Sequence, residues 1–345
     1  MTGWLDGLEA AARERLPEPV HRYFRQGAAA GVSTAEAVAA WRRLRFLPHV
    51  LRDVSTVSTA TTVLGAEVAT PILVAPTTLQ RHAHPDGEAE MARGVAAAGS
   101  LMCVSSNAGS TFSAIAETGA AWWIQVYVAR DRGLTTAMLD RAVASGATAV
   151  VVTVDTPVVG AKHDDGPSVW EMTPAGYLLA NLDLDGASAD DLEKALDLTP
   201  DDVGWLARST GLPVVVKGVL RADDAALAAR AGAAGVWVSN HGGRQLDRAL
   251  ATADALPAVG EAVAGDAEVY VDGGIRDGRD SLAALASGAT AVFVGRPPLW
   301  GLCVGGAGGV TQVLTELTVQ LREAMTLCGV TSIAAVGSDL LSGQG

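Results

Sequence analysis

Eight short runs rich in β-branched residues recur along this chain, with alanine-rich stretches between them. The runs are Ile72–Pro76 (ILVAP), Leu101–Ser105 (LMCVS), Trp123–Val128 (WIQVYV), Ala149–Asp155 (AVVVTVD), Val214–Gly218 (VVVKG), Gly235–Asn240 (GVWVSN), Glu268–Gly274 (EVYVDGG) and Ala291–Arg296 (AVFVGR). Most are almost continuously apolar, as a parallel strand must be when both its faces are covered. The intervening stretches, such as GEAEMARGVAAAG, RADDAALAARAGAAG and RDSLAALASGA, are amphipathic and run out at glycine, a helix C-cap signal. Eight strand–helix repeats predict an α/β fold of the closed (β/α)8, or TIM, barrel type. An open doubly wound sheet is the alternative. The count of eight speaks against it, as does the lack of a GxGxxG motif after the first strand.

Two segments fall outside the repeat. Residues 1–60 carry a helical pattern, followed by a short apolar piece around Thr62–Leu64, and are expected to cap the bottom of the barrel. Residues 158–212 are too long for a simple connection after the fourth strand. They contain the polar stretch AKHDDGPS and read as a lid-like loop. QVLTELTVQLREAMTL is an amphipathic helix expected to close the ring. No linker interrupts residues 1–345, so a single domain is expected.

With 49% apolar residues and 18% charged ones, the chain has ample material for one large core. A net charge of −13 and the absence of basic runs argue against a nucleic-acid partner. Cys103, Cys303 and Cys328 are odd in number, far apart and in no metal-ligand spacing, so they read as small buried hydrophobes in a reducing compartment, and no metal is expected. The opening MTGWLDGLEAAARERLPEPV lacks the pattern of a secretory signal, and no uninterrupted apolar run is long enough to span a bilayer. A cytoplasmic protein with no membrane partner is the expectation.

In such a barrel, chemistry sits at the C-terminal ends of the strands. Those ends deliver Thr77 and Thr78, Ser105 and Asn107, Gln125 and Tyr127, Thr153 and Asp155, Lys217, Ser239, His241 and Arg244, Asp272, Gly274 and Arg276, then Gly295 and Arg296. The last two ends have the chemistry of a phosphate site: glycines let backbone N–H groups approach an anion, and arginine forks bind its oxygens. Two tight turns with solvated arginines are the plainer alternative. Lys217, at the end of an apolar strand, needs an anionic partner. Schiff-base chemistry, charge compensation of a cofactor and simple snorkelling to the rim are all open to it. A lone histidine is more often structural, but His241 is flanked by glycines, has Arg244 three residues on, and can pair with Asp155.

The motifs SNHGGRQLD, VVVKGV, VDGGIRDG, VGRP and TVDTP, the APT turn followed by RHAHPDGE, and RYFRQGA near the start resemble those of the FMN-dependent 2-hydroxy acid oxidase and dehydrogenase family. Glycolate oxidase, lactate oxidase and mandelate dehydrogenase belong to it. The resemblance runs in order from about Leu16 to Ile333. It implies FMN as cofactor, a small anionic substrate and a homo-oligomer, often a tetramer. It implies that His241 is the catalytic base while electrons pass to the flavin, with Asp155 steadying its imidazolium and Lys217 stabilising the reduced ring. Arg244 and Tyr23 would bind the substrate carboxylate, and Tyr127 would contact the substrate. Thr77, Thr78, Ser105, Gln125, Thr153 and Ser239 would touch the flavin, and Asp272, Gly274, Arg276, Gly295 and Arg296 its ribityl chain and phosphate. Three positions depart from the family pattern. Lys162 stands where a carboxylate-binding arginine is usual, Asn107 where an aromatic is frequent, and Thr78 where alanine or glycine is usual. These departures predict a substrate larger or more polar than glycolate or lactate. They also keep in play a flavin enzyme of another class, such as an isomerase or a biosynthetic modifier. A Schiff-base aldolase using Lys217 and a catalytically dead flavin-binding protein are weaker readings.

Overall fold

The computed structural model describes residues 4–163, 166–183 and 186–343; Asp164, Asp165, Leu184 and Asp185 of the expected lid lie outside them. Strands β1 (Thr61–Val63) and β2 (Ala66–Val68) form an antiparallel hairpin. Strands β3 (Ile72–Val74), β4 (Leu101–Ser105), β5 (Ala121–Val126), β6 (Val150–Thr153), β7 (Val214–Val219), β8 (Gly235–Val238), β9 (Glu268–Val271) and β10 (Ala291–Val294) are all parallel, and β10 pairs with β3 to close the ring. The eight expected runs are these eight strands, several of them trimmed at the C-terminal end where the chain leaves the ladder for the rim. The third run is also displaced. Ala121 and Trp122 pair with Leu101 and Met102, so Tyr127 and Val128 fall beyond the strand.

Side chains two apart on a strand share a face, and this sets two layers inside the ring. The lower layer packs Leu101, Trp123, Val151, Val215, Trp237, Tyr270 and Phe293 into a fully buried cluster. Trp237 stacks on Phe293 with centroids 3.7 Å apart, and Trp123 meets Tyr270 edge-on at 5.3 Å. Two residues further along the strands come Gln125, Thr153, Lys217, Ser239 and Asp272, all buried and all polar. Outward-facing residues such as Ile72, Val74, Met102, Val150 and Val236 pack against the surrounding helices.

The β1–β2 hairpin plugs the bottom. Val63 and Val68 join the interior cluster, and Leu64 N donates to Glu268 Oε1 (3.0 Å) at the start of β9. Two of the preceding helices, expected to share that task, lie instead at the C-terminal ends of the strands. In the helix Glu18–Arg25 the buried face carries Val20 and Phe24, and Phe24 meets Trp300 edge-on at 6.1 Å, just after β10. From the helix Val32–Arg43, Trp41 Nε1 donates to Gly273 O (2.7 Å). An amphipathic helix can cover either end of a barrel, and here the partners that accept its apolar face lie at the top.

The closing helix is longer than the amphipathic pattern indicates. It begins at Arg296, directly after β10, and reaches Leu327. By length and composition alone it could cross a membrane, with a mean hydropathy of 1.2 in its most apolar window. It breaks at Gly305 and Gly306, however, and buries Leu302, Val310, Val313, Leu314, Leu317 and Leu321 against the barrel body.

Candidate active site

The turn after β8 shapes the centre of the rim. Residues His241, Gly242 and Gly243 all adopt left-handed backbone, with φ of 57°, 63° and 74°. The glycines take this without penalty; the histidine does not. A Cβ on Gly243 would lie 2.6 Å from Thr34 N, so the turn also needs glycine to let the N-terminal extension approach. Asn240 Oδ1 accepts from Gly243 N (3.1 Å), and Ser239 Oγ accepts from His241 N (3.0 Å). This places the imidazole with Nδ1 3.0 Å from Asp155 Oδ1 and Nε2 3.5 Å from the Tyr127 hydroxyl. Thr156 Oγ1 donates to the same Asp155 oxygen (2.8 Å). Gly218 makes room for the pair, since a Cβ there would sit 2.6 Å from that of Asp155.

Burial alone would push the Asp155 carboxyl up, but the His241 contact, helped by Lys217 and Thr156, outweighs it and holds the group at about 2. Burial lowers the proton affinity of His241 more than Asp155 restores it. The imidazole is therefore neutral at rest, with Nδ1–H on an ionised carboxylate and Nε2 open to take a proton. Burial raises Tyr127, followed by the charge of Asp155, so its hydroxyl stays protonated.

Lys217 is 3% exposed and lies within β7. Its ammonium sits 3.2 Å from Asp272 Oδ2 and donates to Ser239 Oγ (2.9 Å), which in turn donates to Asp272 Oδ1 (2.7 Å). Burial opposes its charge, yet Asp272 and Asp155 win and the net shift is upward. Beside it Gln125 Nε2 donates to Thr153 Oγ1 (3.0 Å).

Tyr23, Thr77, Thr78, Ser105, Asn107, Gln125, Tyr127, Thr153, Lys162, Lys217, His241, Arg244, Asp272, Gly274, Arg276, Gly295 and Arg296 line one cavity of about 360 Å³. Asp155 and Ser239 stand behind its wall and act on it through the lining residues they bond, Asp155 through His241 and Thr156, Ser239 through Lys217 and Asp272. Ser239, expected to touch the flavin, is fully buried and joins Lys217, Asp272 and the His241 backbone. Thr77 Oγ1 accepts from Gln80 Nε2, and Thr78 Oγ1 donates to the backbone carbonyl of Asn107, so the unusual side chain at 78 is tied to the main chain at 107.

At one end of the cavity Arg276 and Arg296 are half-buried without a carboxylate in ion-pair range among the described residues. Arg276 spends one nitrogen on Ile275 O, while Arg296 bonds Phe24 O and Gly242 O. Burial lowers both, with neighbouring arginines adding to it, and Arg296 falls to about 9. Half-buried cations without a counter-ion at the start of a helix are a site for an anion. Gly295 leads into that helix, and a Cβ there would meet nothing closer than 3.6 Å. Gly274 is glycine for packing, because a Cβ would strike Ala37 O at 2.2 Å. The donor set thus fits a phosphate at this end, and the ammonium of Lys217 with Gln125 fits a polar aromatic ring over the barrel mouth.

Arg244 and Lys162 form a second cationic group. Arg244 Nη1 donates to Tyr23 O (2.7 Å) and Gln26 O (2.9 Å), and its guanidinium lies 4.8 Å from the centre of the Tyr23 ring. Lys162 Nζ donates to Arg244 O. Burial, then Arg244 and Arg296, lower Lys162 to about 8.

Several contributors escaped the sequence reading. Thr156 and Gln245 support Asp155, and Gln245 Nε2 does so by donating to the Asp155 backbone carbonyl (3.3 Å). Trp170, from the expected lid, meets Tyr23 edge-on at 5.4 Å and overhangs the cavity. Lys194 reaches the same wall. Apart from the cavity, His84, Asp86 and Glu90 cluster on the surface, but Arg93 already bridges both carboxylates.

Comparison with known proteins points the same way. The family model for FMN-dependent dehydrogenases matches residues 12–343. The chain is 40% identical to L-lactate oxidase of Nostoc sp., with 96% of each sequence covered. It is also 40% identical to 2-hydroxyacid oxidase 1 of Homo sapiens, over 98% of this chain and 95% of the relative. Among solved structures, mandelate oxidase with (S)-2-phenylpropionate superposes with a TM-score of 0.88 at 37% identity, covering 98% of this chain and 97% of that one. A lactate oxidase of Pediococcus acidilactici gives 0.91 at 34% identity, covering 98% and 93%. A match this extensive, on a ring whose rim is already arranged for a phosphate and a proton acceptor, means that the chain belongs to the FMN-dependent dehydrogenase family.

Proposed function

We propose that this enzyme oxidises a 2-hydroxy acid to the 2-oxo acid, with His241 as the base. The observation that carries this reading is the imidazole itself: Nδ1 on an ionised Asp155, Nε2 facing the Tyr127 hydroxyl in the cavity. FMN, when bound, supplies the two-electron acceptor. Arg276 and Arg296 would hold its phosphate, and Lys217, Gln125 and Thr153 would lie against the ring. Arg244 and Lys162 would anchor the substrate carboxylate, which turns the hydroxyl-bearing carbon toward Nε2. The proton lost by the substrate arrives at Nε2, and Asp155 stabilises the imidazolium that forms. Tyr127, kept protonated, donates to the substrate oxygen.

An aldolase is not favoured. Imine formation needs a neutral amine, whereas Asp272 and Asp155 keep Lys217 protonated. An isomerase or other modifier has no observation in its support. Anaerobic mixing of the holoenzyme with a panel of 2-hydroxy acids tests the assignment: bleaching of the flavin absorbance is expected, and no bleaching by any member would overturn it. A cytoplasmic location and a tetramer are proposed from sequence pattern and family resemblance. Light scattering after gel filtration tests the tetramer.

A further inference from the structure

Beyond the cations assigned to the phosphate and the carboxylate, Lys194 on the wall of the cavity also lacks a counter-ion among the described residues. The backbone of Lys194 is pinned beside the rim, where Arg130 N donates to Glu193 O (2.6 Å) and Ala195 N to Val128 O (2.9 Å). Its ammonium rests 4.3 Å from the centre of the Tyr127 ring. Among the described residues no carboxylate comes within ion-pair distance of it. A half-buried ammonium is poorly hydrated, and an aromatic face compensates it less well than an anion would.

Lys194 also stands at a junction. A second cavity of about 420 Å³ lies behind Tyr127, Thr156 and Lys194, walled by apolar side chains including Leu198, Val219 and Leu227. Thr153, Tyr127, Thr156 and Lys194 line both spaces. Lys194 therefore belongs to the wall of the substrate chamber itself, where those residues part it from the second space. The cations assigned to the α-carboxylate are on a different wall, where Arg244 bonds the N-terminal extension and Lys162 bonds Arg244.

We propose that Lys194 receives a second anionic group, so that the preferred substrates are 2-hydroxy acids carrying a distal carboxylate. This deepens the oxidase reading and rests on it. The competing partner is Asp155, whose charge raises the proton affinity of Lys194 against the lowering by burial. Asp155 is already bonded to His241 and Thr156, although its Oδ2 accepts no hydrogen bond. If Lys194 served Asp155 instead, its loss would act through His241 and impair every substrate alike.

The test uses holoenzyme, with lactate as the monocarboxylate and malate and 2-hydroxyglutarate as dicarboxylates. Anaerobic flavin bleaching should give at least one dicarboxylate a kcat/KM about tenfold or more above lactate. Lys194→Met should lower the dicarboxylate value by about 10- to 100-fold, the loss of one charge-assisted hydrogen bond, and should collapse the preference. Lys194→Arg should retain it, which guards against a folding defect. Binding of non-oxidisable succinate against propionate, read from the flavin spectrum, should show the same split. Equal losses for both substrate classes, or no preference in the unaltered enzyme, would overturn the proposal. Lactate bleaching the flavin as well as the dicarboxylates do sinks only the role of Lys194. No bleaching by any 2-hydroxy acid sinks the oxidase reading and this proposal together.

Discussion

The barrel interior holds two layers that differ by a single step of the strand pleat. Trp123, Val151, Val215, Trp237 and Tyr270 make the lower one, and Gln125, Thr153, Lys217, Ser239 and Asp272, each two residues further on, make the upper. The lower layer is held by shape: stacked and edge-on aromatic contacts fill the ring. The upper layer is held by hydrogen bonds and charge, and its polar atoms face one another or the cavity. One set of strands thus supplies a close-packed core and a reactive surface without an intervening element. The two touch at Lys217, whose ammonium lies 5.3 Å from the centre of the Trp237 ring.

If the layers are separable, substitutions should divide between chemistry and stability. His241→Ala should slow flavin reduction by about 10²–10⁴-fold while leaving the denaturation midpoint close to that of the parent; stopped-flow absorbance and a melting curve read the two effects. Trp237→Ala should do the reverse, costing about 3–5 kcal/mol of stability in a denaturant titration, with a far smaller effect on reduction per bound flavin. A Trp237→Ala protein that melts normally would break the distinction from below. Lys217→Met is the case that tests the contact between layers. It leaves Asp272 buried without its cation, for a loss of about 3 kcal/mol. Adding Asp272→Asn should restore stability but not the reduction rate. If it restores both, the lysine is structural.

The pH dependence sharpens the upper layer further. His241 must be unprotonated to accept a proton, so kcat/KM should fall on acidification, through a pKa below the ordinary value for histidine. Lys162 must be protonated to bind a carboxylate. On the alkaline side kcat/KM should therefore fall above about 8, approaching tenfold per pH unit. Lys162→Arg should move that limb upward and, near neutrality, lower KM for simple 2-hydroxy acids by only a few-fold. An unchanged alkaline limb in this variant would remove Lys162 from the carboxylate site.

Much of this arrangement was legible in the sequence because it is periodic. Strand runs, and the polar residues that end them, recur with the barrel repeat, which is how Lys217, His241, Arg276 and Arg296 announced themselves. What was illegible depends on contacts across long separations. The left-handed Gly243 is explained by Thr34, and the orientation of Asp155 by Gln245 and Thr156. The placement of the N-terminal helices at the rim rests on Trp300 and Gly273, with nothing in their own pattern to choose top over bottom. The first half of the closing helix was hidden by its composition, since Pro297, Pro298 and the GGAGG run read locally as a breaker. Trp170 and Lys194 sit in a connection without periodicity, so neither had a neighbour in sequence to mark it.

The left-handed backbone of His241 sets a limit on how this enzyme can be improved. A β-carbon in that conformation is disfavoured by roughly 1–2 kcal/mol, so replacement by glycine would relieve the turn. A library selected for heat resistance alone would then be drawn toward a substitution that removes the base. Thermostabilisation of this scaffold has to be scored on turnover at the same time, because at this position robustness and reactivity are opposed within a single residue.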